Sequence, residues 1–316
     1  MAQLIKLSDY ISRYEWDTYR YPTQYIRMKR DSWDRLYNNW LNDMTALFSA
    51  EDLKLEEKTE EVGFFAKLKD KWKKTNVHIE TIQDEMEEPD ELPETEDELK
   101  QYFLDHMFNF QMKWATSTVS RQSIVAEEYY RDPLLKYLLQ RFPDTYLVMY
   151  HPIFSIKQAP FEADILLISP LEIEIIQFVE MEEHAVIMAG EERVWHVESP
   201  RGERKILNPI ISLKRTGKLL ESILVSQGVE FSIKKTVLSR TNPIVFATEP
   251  YQVRLIGKDF YQDWFKEKRF LRSPLKGAQI KAAETLLKFC QSTSIKRPEW
   301  EEDFEDDYGQ MEMEEN

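Results

Sequence analysis

Asp164 carries the clearest chemical signature in the chain. It ends the stretch FEAD at 161–164 and opens the apolar run ILLIS, which sets a carboxylate at the mouth of a buried strand. Glu162 has the period that puts a second carboxylate on the same strand face. In the next run, LEIEIIQFVE at 171–180, alternation places Gln177 with Ile173, Ile175 and Val179, and Glu172, Glu174 and Glu180 with Ile176 and Phe178. Upstream, AEEYY offers Glu127 and Glu128 near the start of a helix. Carboxylates converging in this way would hold Mg²⁺, which polarises a phosphate and draws bound water toward hydroxide, with a lysine to help the nucleophile.

The set is incomplete. Gln177 is neutral and a poor ligand for a hard cation, and Val179 has neither proton nor charge to give. Repair would need a register slip, or Glu162 together with Lys157, Lys205 or Lys214 reaching in from elsewhere. Without a metal, Asp164 would cap a turn, Glu127 would be a solvated helix residue, and Gln177 would satisfy backbone at the sheet.

A second group lies in KDFYQDWFKEKRFLRSPLKGAQIK, 258–281, where seven bases alternate with five aromatics. Lys258, Lys266, Lys268, Arg269 and Arg272 beside Trp264 would neutralise phosphates while the indole stacks a base of a single strand. On a helix, the same aromatics would instead anchor the segment to its domain. KLKDKWKK at 67–74 is a further candidate contact with a polyanion. The histidines, His78, His106, His151, His184 and His196, form no zinc-type spacing, and the single Cys290 allows no internal disulfide.

The formal charge of −15 is concentrated. Residues 80–98 hold 11 acids and no base, and residues 299–316 hold 10 acids and no base; the rest of the chain has 36 acids against 42 Lys and Arg. These blocks read as solvated segments or as competitors for a basic groove. No apolar run is long enough to span a membrane, and the first residues lack the order of a signal peptide, so a cytoplasmic protein without membrane insertion is expected.

The positioning elements follow from period. The first 78 residues read as helical, with Ile26, Trp33, Tyr37, Trp40 and Met44 on one face. Helices are expected at 97–118 and at 123–143, the latter kinked or broken into two pieces at Pro133. Short β-branched runs then predict consecutive strands from 144 to 199. Asn208 and Pro209 open a helix with Ile210, Leu213, Leu220 and Leu224 on one side and Gly228 as its stop. Strands at 229–238 and within 242–248 and further helices follow. The expected parts are a helical region 1–78, an acidic linker 79–99, a domain 100–250, a helical extension 251–297 and an acidic tail 298–316.

From 120 to 250 the order of a helix with an early glutamate, a strand, a strand led by Asp, a Pro-containing turn, an apolar strand, a hairpin ending in Trp195 and a helix opened by Asn208-Pro209 resembles the nuclease-related domain (NERD) family. That family has the restriction-endonuclease-like PD-(D/E)xK fold, so the resemblance implies an α/β mixed sheet flanked by helices, presenting acids on two neighbouring strands. It implies Glu127 as the helix acid, Asp164 as the metal-binding aspartate, and Glu172, Gln177 and Val179 where Gly, Glu and Lys are usual. Ser212 and Thr216 stand where glutamine and histidine are common. The expectation is a catalytically degenerate nuclease-fold protein that binds nucleic acid, DNA in preference, or supports DNA metabolism without a cofactor. The alternatives are an active Mg²⁺-dependent nuclease with rearranged carboxylates, Asp164 and Glu162 among its ligands, and a protein-interaction scaffold working through the acidic segments.

Overall fold

A computed structural model describes residues 1–54, 93–156 and 159–297. The basic run at 67–74, Lys157, most of the acidic linker and the acidic tail lie outside the described residues.

In chain order the elements are β1 (Gln3–Leu7), α1 (Arg13–Trp16), α2 (Arg20–Lys54), α3 (Glu96–Thr116), β2 (Arg121–Gln122), α4 (Glu127–Arg131), α5 (Pro133–Arg141), β3 (Leu147–Tyr150), β4 (Ile153–Ile156), β5 (Ala159–Glu162), β6 (Ile165–Ile168) and β7 (Glu172–Phe178). There follow β8 (Val186–Met188), β9 (Val194–Ser199), β10 (Gly202–Leu207), α6 (Ile210–Ser226), β11 (Ser232–Leu238), β12 (Ile244–Val245), β13 (Arg254–Ile256), α7 (Lys258–Arg269), α8 (Gly277–Leu287) and β14 (Ile295–Lys296).

The chain divides into two compact units, Gln24–Phe110 and the remainder. In the smaller one, Trp33 stacks on Tyr37 and meets Phe103 edge-on, and the Trp40 indole donates to the Pro93 carbonyl at 2.7 Å. The apolar stripe read from the sequence is thus the seam of a helical unit.

The larger unit is mixed α/β. Its main sheet has the order β1-β3-β6-β7-β11-β13. β3, β6 and β7 form an antiparallel meander, the chain crosses through α6, and β11 returns parallel to β7. The β8-β9-β10 meander, inserted between β7 and α6, forms a second sheet with β12. Every residue of β3 and β6 is buried, as expected of strands covered on both faces. α6 covers one face: its Gly217 faces Lys235 of β11, so that a Cβ there would lie 2.2 Å from Lys235 Cε. α7 covers the other, with Trp264 against Glu174 of β7.

Local chemistry fixes the helix ends. Pro133 breaks the 123–143 helix into α4 and α5, and the Asp132 carboxylate restarts it by accepting from the Leu134 and Leu135 amides. Asn208 Oδ1 accepts from Ile210 N at 2.9 Å with Pro209 already helical, and Gly228 at φ 63° ends α6 while Val229 N returns to Leu224 O.

Three expected boundaries are corrected. The first residues are a strand: QLIKL pairs parallel to β3, and all five residues are buried. β1 is held on its outer side by Gln111, whose side chain accepts from Leu4 N and donates to Ala2 O, in the manner of a neighbouring strand. Its buried Lys6 donates to Glu15, to Ser292 and to the Tyr10 carbonyl. Residues 1–23 therefore belong with the sheet, and the helical unit begins at Gln24. The expected acidic linker to residue 99 is overrun at its end by α3, which starts at Glu96 with its acids in the first turn, where the helix dipole favours them. The 251–297 segment is no appendage: β13 closes the sheet, and α7 and α8 cover it.

Candidate functional site

Asp164 sits between β5 and β6. Because Ile165 pairs with Ile176, the antiparallel register sets Asp164 across from Gln177, and the two side chains share the α6 face of the sheet. Asn208 starts α6 so that Ser212 and Thr216, one turn apart, both point at the carboxylate. Ser212 Oγ donates to Oδ1 at 2.9 Å, and Thr216 Oγ1 donates to Oδ2 at 2.7 Å. Thr216 Oγ1 also accepts from the Asp164 amide at 3.4 Å. Asp164 is 6% exposed. Burial raises its pKa above the ordinary aspartate value, opposed by the hydroxyls of Thr216 and Ser212 and by nearby His151.

The other candidates stand apart from this contact. Gln177 is half-buried and Val179 is buried. Glu162 is exposed, 3.9 Å from His151 Nδ1. Glu127 is an exposed residue of α4 that pairs with Arg131 at 3.3 Å. Next to it, Glu128, Tyr129, Arg131, Asp132, Tyr150 and His151 line a cavity of about 660 Å³. Asp132 is fully engaged there, one oxygen capping α5 and the other accepting from Tyr150 at 2.5 Å.

Mg²⁺ does not fit these groups. Asp164 has both oxygens committed to hydroxyl donors, its cross-strand partner is a neutral amide, and among the described residues no group of three or more His, Cys, Asp or Glu could hold a metal ion. The pairing of Asp164 with Glu162 as ligands, open from the sequence, finds no support: Glu162 reaches toward His151.

The basic and aromatic segment is divided by the fold. Lys258, Lys266, Arg269 and Arg272 are exposed. Trp264 and Lys268 are corrected: neither is accessible to a nucleic acid. Trp264 is 2% exposed and donates to Glu174 Oε1 at 3.0 Å, and Lys268 is buried against Glu174 at 2.8 Å and Glu172 at 3.0 Å. Thr236 donates to Glu174 and Lys234 pairs with Glu172 at 2.7 Å, which completes a network under α7. Burial disfavours the charge on Glu172, but hydrogen bonds from Lys234 and Lys268 outweigh it and hold the carboxyl below its usual range. Burial also works against the Lys268 ammonium, and the two glutamates more than offset it. Tyr261 and Phe265 pack on Tyr137 and Phe142 of the α5 segment.

The residues that reach Asp164, Ser212 and Thr216, were singled out in the sequence only by the family resemblance, as standing where glutamine and histidine are common. A basic strip on α6 was missed except for Lys214: Lys214, Arg215 and Lys218 are all exposed, with no carboxylate partner among the described residues, and the Arg215 guanidinium lies 5.3 Å from the Phe161 ring centre. The signal was present in SLKRTGK, where the bases fall between the two hydroxyls and just after them.

No protein-family model matches the chain, and no solved structure matches it. A curated RNA 2',3'-cyclic phosphodiesterase of Geobacillus stearothermophilus is 50% identical over 40 residues, a match that spans 13% of this chain and 13% of that protein.

Proposed function

We propose that the protein is a nuclease-related, restriction-endonuclease-like protein that binds nucleic acid and does not cleave it. The observation that carries the reading is the contact at Asp164. An aspartate at the head of β6 faces the adjacent strand β7 of a mixed sheet, where such a fold presents its acids, yet the residue across from it is Gln177 and two α6 hydroxyls occupy the carboxylate. The carboxylate ties α6 to the sheet. The same helix offers Lys214, Arg215 and Lys218 to solvent, a cationic strip able to neutralise phosphates.

The test is binding and cleavage of labelled duplex and single-stranded DNA at several salt concentrations, with Mg²⁺ or Mn²⁺ present. Binding that weakens with salt and no cleavage is expected. Replacing all three α6 bases by alanine should lower the steepness of the log K against log salt line for duplex by about 2 to 3, one phosphate contact per base. Metal-dependent cleavage abolished by Asp164→Ala would overturn the reading, and absence of binding at low salt would leave the scaffold alternative.

A further inference from the structure

We infer that a hollow between α1, the start of α2 and the 117–122 turn is a nucleotide-binding site. It encloses about 230 Å³ and is lined by Arg13, Trp16, Arg20, Tyr21, Thr118 and Val119. Trp16 is 73% exposed, the largest uncovered aromatic surface of α1, and nothing in the core explains an indole placed there. The walls behind it are fixed: Tyr21 meets Trp114 edge-on at 5.3 Å, and the Arg13 guanidinium lies over the Trp114 ring at 5.6 Å. Thr118 is held by the hydrogen bond that its backbone N–H donates to the Arg121 carbonyl at 2.7 Å.

The chemistry selects the ligand. A free indole face with a second ring beside it suits a flat heteroaromatic group, and the exposed Arg20 guanidinium suits an anion attached to it. The acid nearest Arg20 in sequence, Asp17, is taken up by the amides of Tyr19 and Arg20. A nucleotide unit has this combination of ring and charge, whether free or within a single strand, and base stacking on an exposed aromatic is tolerant of sequence.

The experiment measures binding of AMP and of fluorescein-labelled oligothymidylate and duplex to the full chain and to Trp16→Ala and Trp16→Phe. Trp16 is exposed, so both variants should fold as the parent does. Trp16→Ala is expected to weaken oligothymidylate about 5- to 100-fold and Trp16→Phe much less, with duplex binding unchanged. Trp16-dependent binding of AMP as tight as that of the strand assigns the hollow to a free nucleotide; preference for the strand assigns it to single-stranded nucleic acid. The strand assignment rests on the nucleic-acid reading above, and the AMP measurement does not. Oligothymidylate and AMP binding that are both indifferent to Trp16 would sink this site alone, whereas failure of duplex and strand to bind at all sinks the earlier reading as well. Displacement of the strand by an acidic peptide of residues 298–316, in a Trp16-dependent manner, would reassign the hollow to an acidic segment.

Discussion

Replacing Thr216 by valine removes one hydroxyl from a buried contact and changes little else in shape. Thr216 is 1% exposed, and its Oγ1 both donates to Asp164 Oδ2 and accepts from the Asp164 amide. In the variant the carboxylate keeps only Ser212. A hydrogen bond to a charged group is worth about 1.5–3 kcal/mol, and 1 kcal/mol moves the melting temperature of a domain of this size by about 2–4 °C. A fall of about 3–12 °C at pH 7 is therefore expected, read by circular dichroism melts. The pH dependence has a definite sign. Burial raises the Asp164 pKa above the ordinary 3.8, so the folded state holds the proton more tightly than the unfolded one, and the ionised form costs stability as pH rises above 3.8. Thr216→Val deepens that cost, so its deficit should be larger at pH 7 than near pH 4. Asp164→Asn, which cannot ionise, should gain on the wild type as pH rises through the same window. A Thr216→Val shift under 1 °C at pH 7, or a deficit that grows toward low pH, would refute the view that α6 hydroxyls hold a buried carboxylate.

Lys268→Met strips the cation from Glu174, which is 2% exposed, and from Glu172; a loss of about 3–5 kcal/mol is expected in urea melts, with partial recovery in Lys268→Met/Glu174→Gln because glutamine still accepts from Trp264 and Thr236. Gly257→Ala sets a Cβ 2.5 Å from the Ile244 backbone nitrogen and should cost about 1–3 kcal/mol, whereas Gly217→Ala meets only the flexible end of Lys235 and should be close to neutral in the same melts, the helix gain offsetting a weakened Lys235–Glu221 pair. Arg240 grips Glu180 through Nε and Nη2 and lies 4.6 Å from the Tyr137 ring centre; Arg240→Lys should cost about 1 kcal/mol. The hydrogen bond from Arg240 holds the Glu180 pKa below 4.5, so this contribution is complete above pH 4.5, and the deficit should fade as pH drops below it.

What the sequence made legible was local. The break at Pro133, the Asn208 start and Gly228 stop of α6, and the apolar runs of β6 and β7 depend on neighbours within a few residues. Asp164 was placed correctly at the head of β6 for the same reason. β1 was illegible because five residues carry no useful period, and their partner begins at Leu147. Alternation set Glu172 and Glu174 on one strand face with Ile176 and Phe178 but gave them no partner, and Lys268 and Trp264 read as a binding face. Their partners lie about a hundred residues away in sequence, and when α7 docks on β7 the two faces bury one another. Charge on a strand is thus a poor guide to exposure where a helix can bring the opposite charge. The hydroxyls on Asp164 were unreadable for a related reason, since Ser and Thr on a helix announce no partner.

The seating of β1 has a consequence for how the chain acquires its structure during synthesis. Gln3–Leu7 leaves the ribosome well before its partners, since its ladder is with Leu147–Tyr150, its buried lysine reaches Ser292, and Tyr10 bridges Thr293. This segment must therefore wait for its ladder until Leu147–Tyr150 is made, and its lysine must wait for Ser292 through most of the rest. That interval is the moment of greatest exposure to a holding chaperone or to a neighbouring chain on the same message. Slowing translation between residues 150 and 290 should increase chaperone capture of the nascent protein without changing the stability of the finished one.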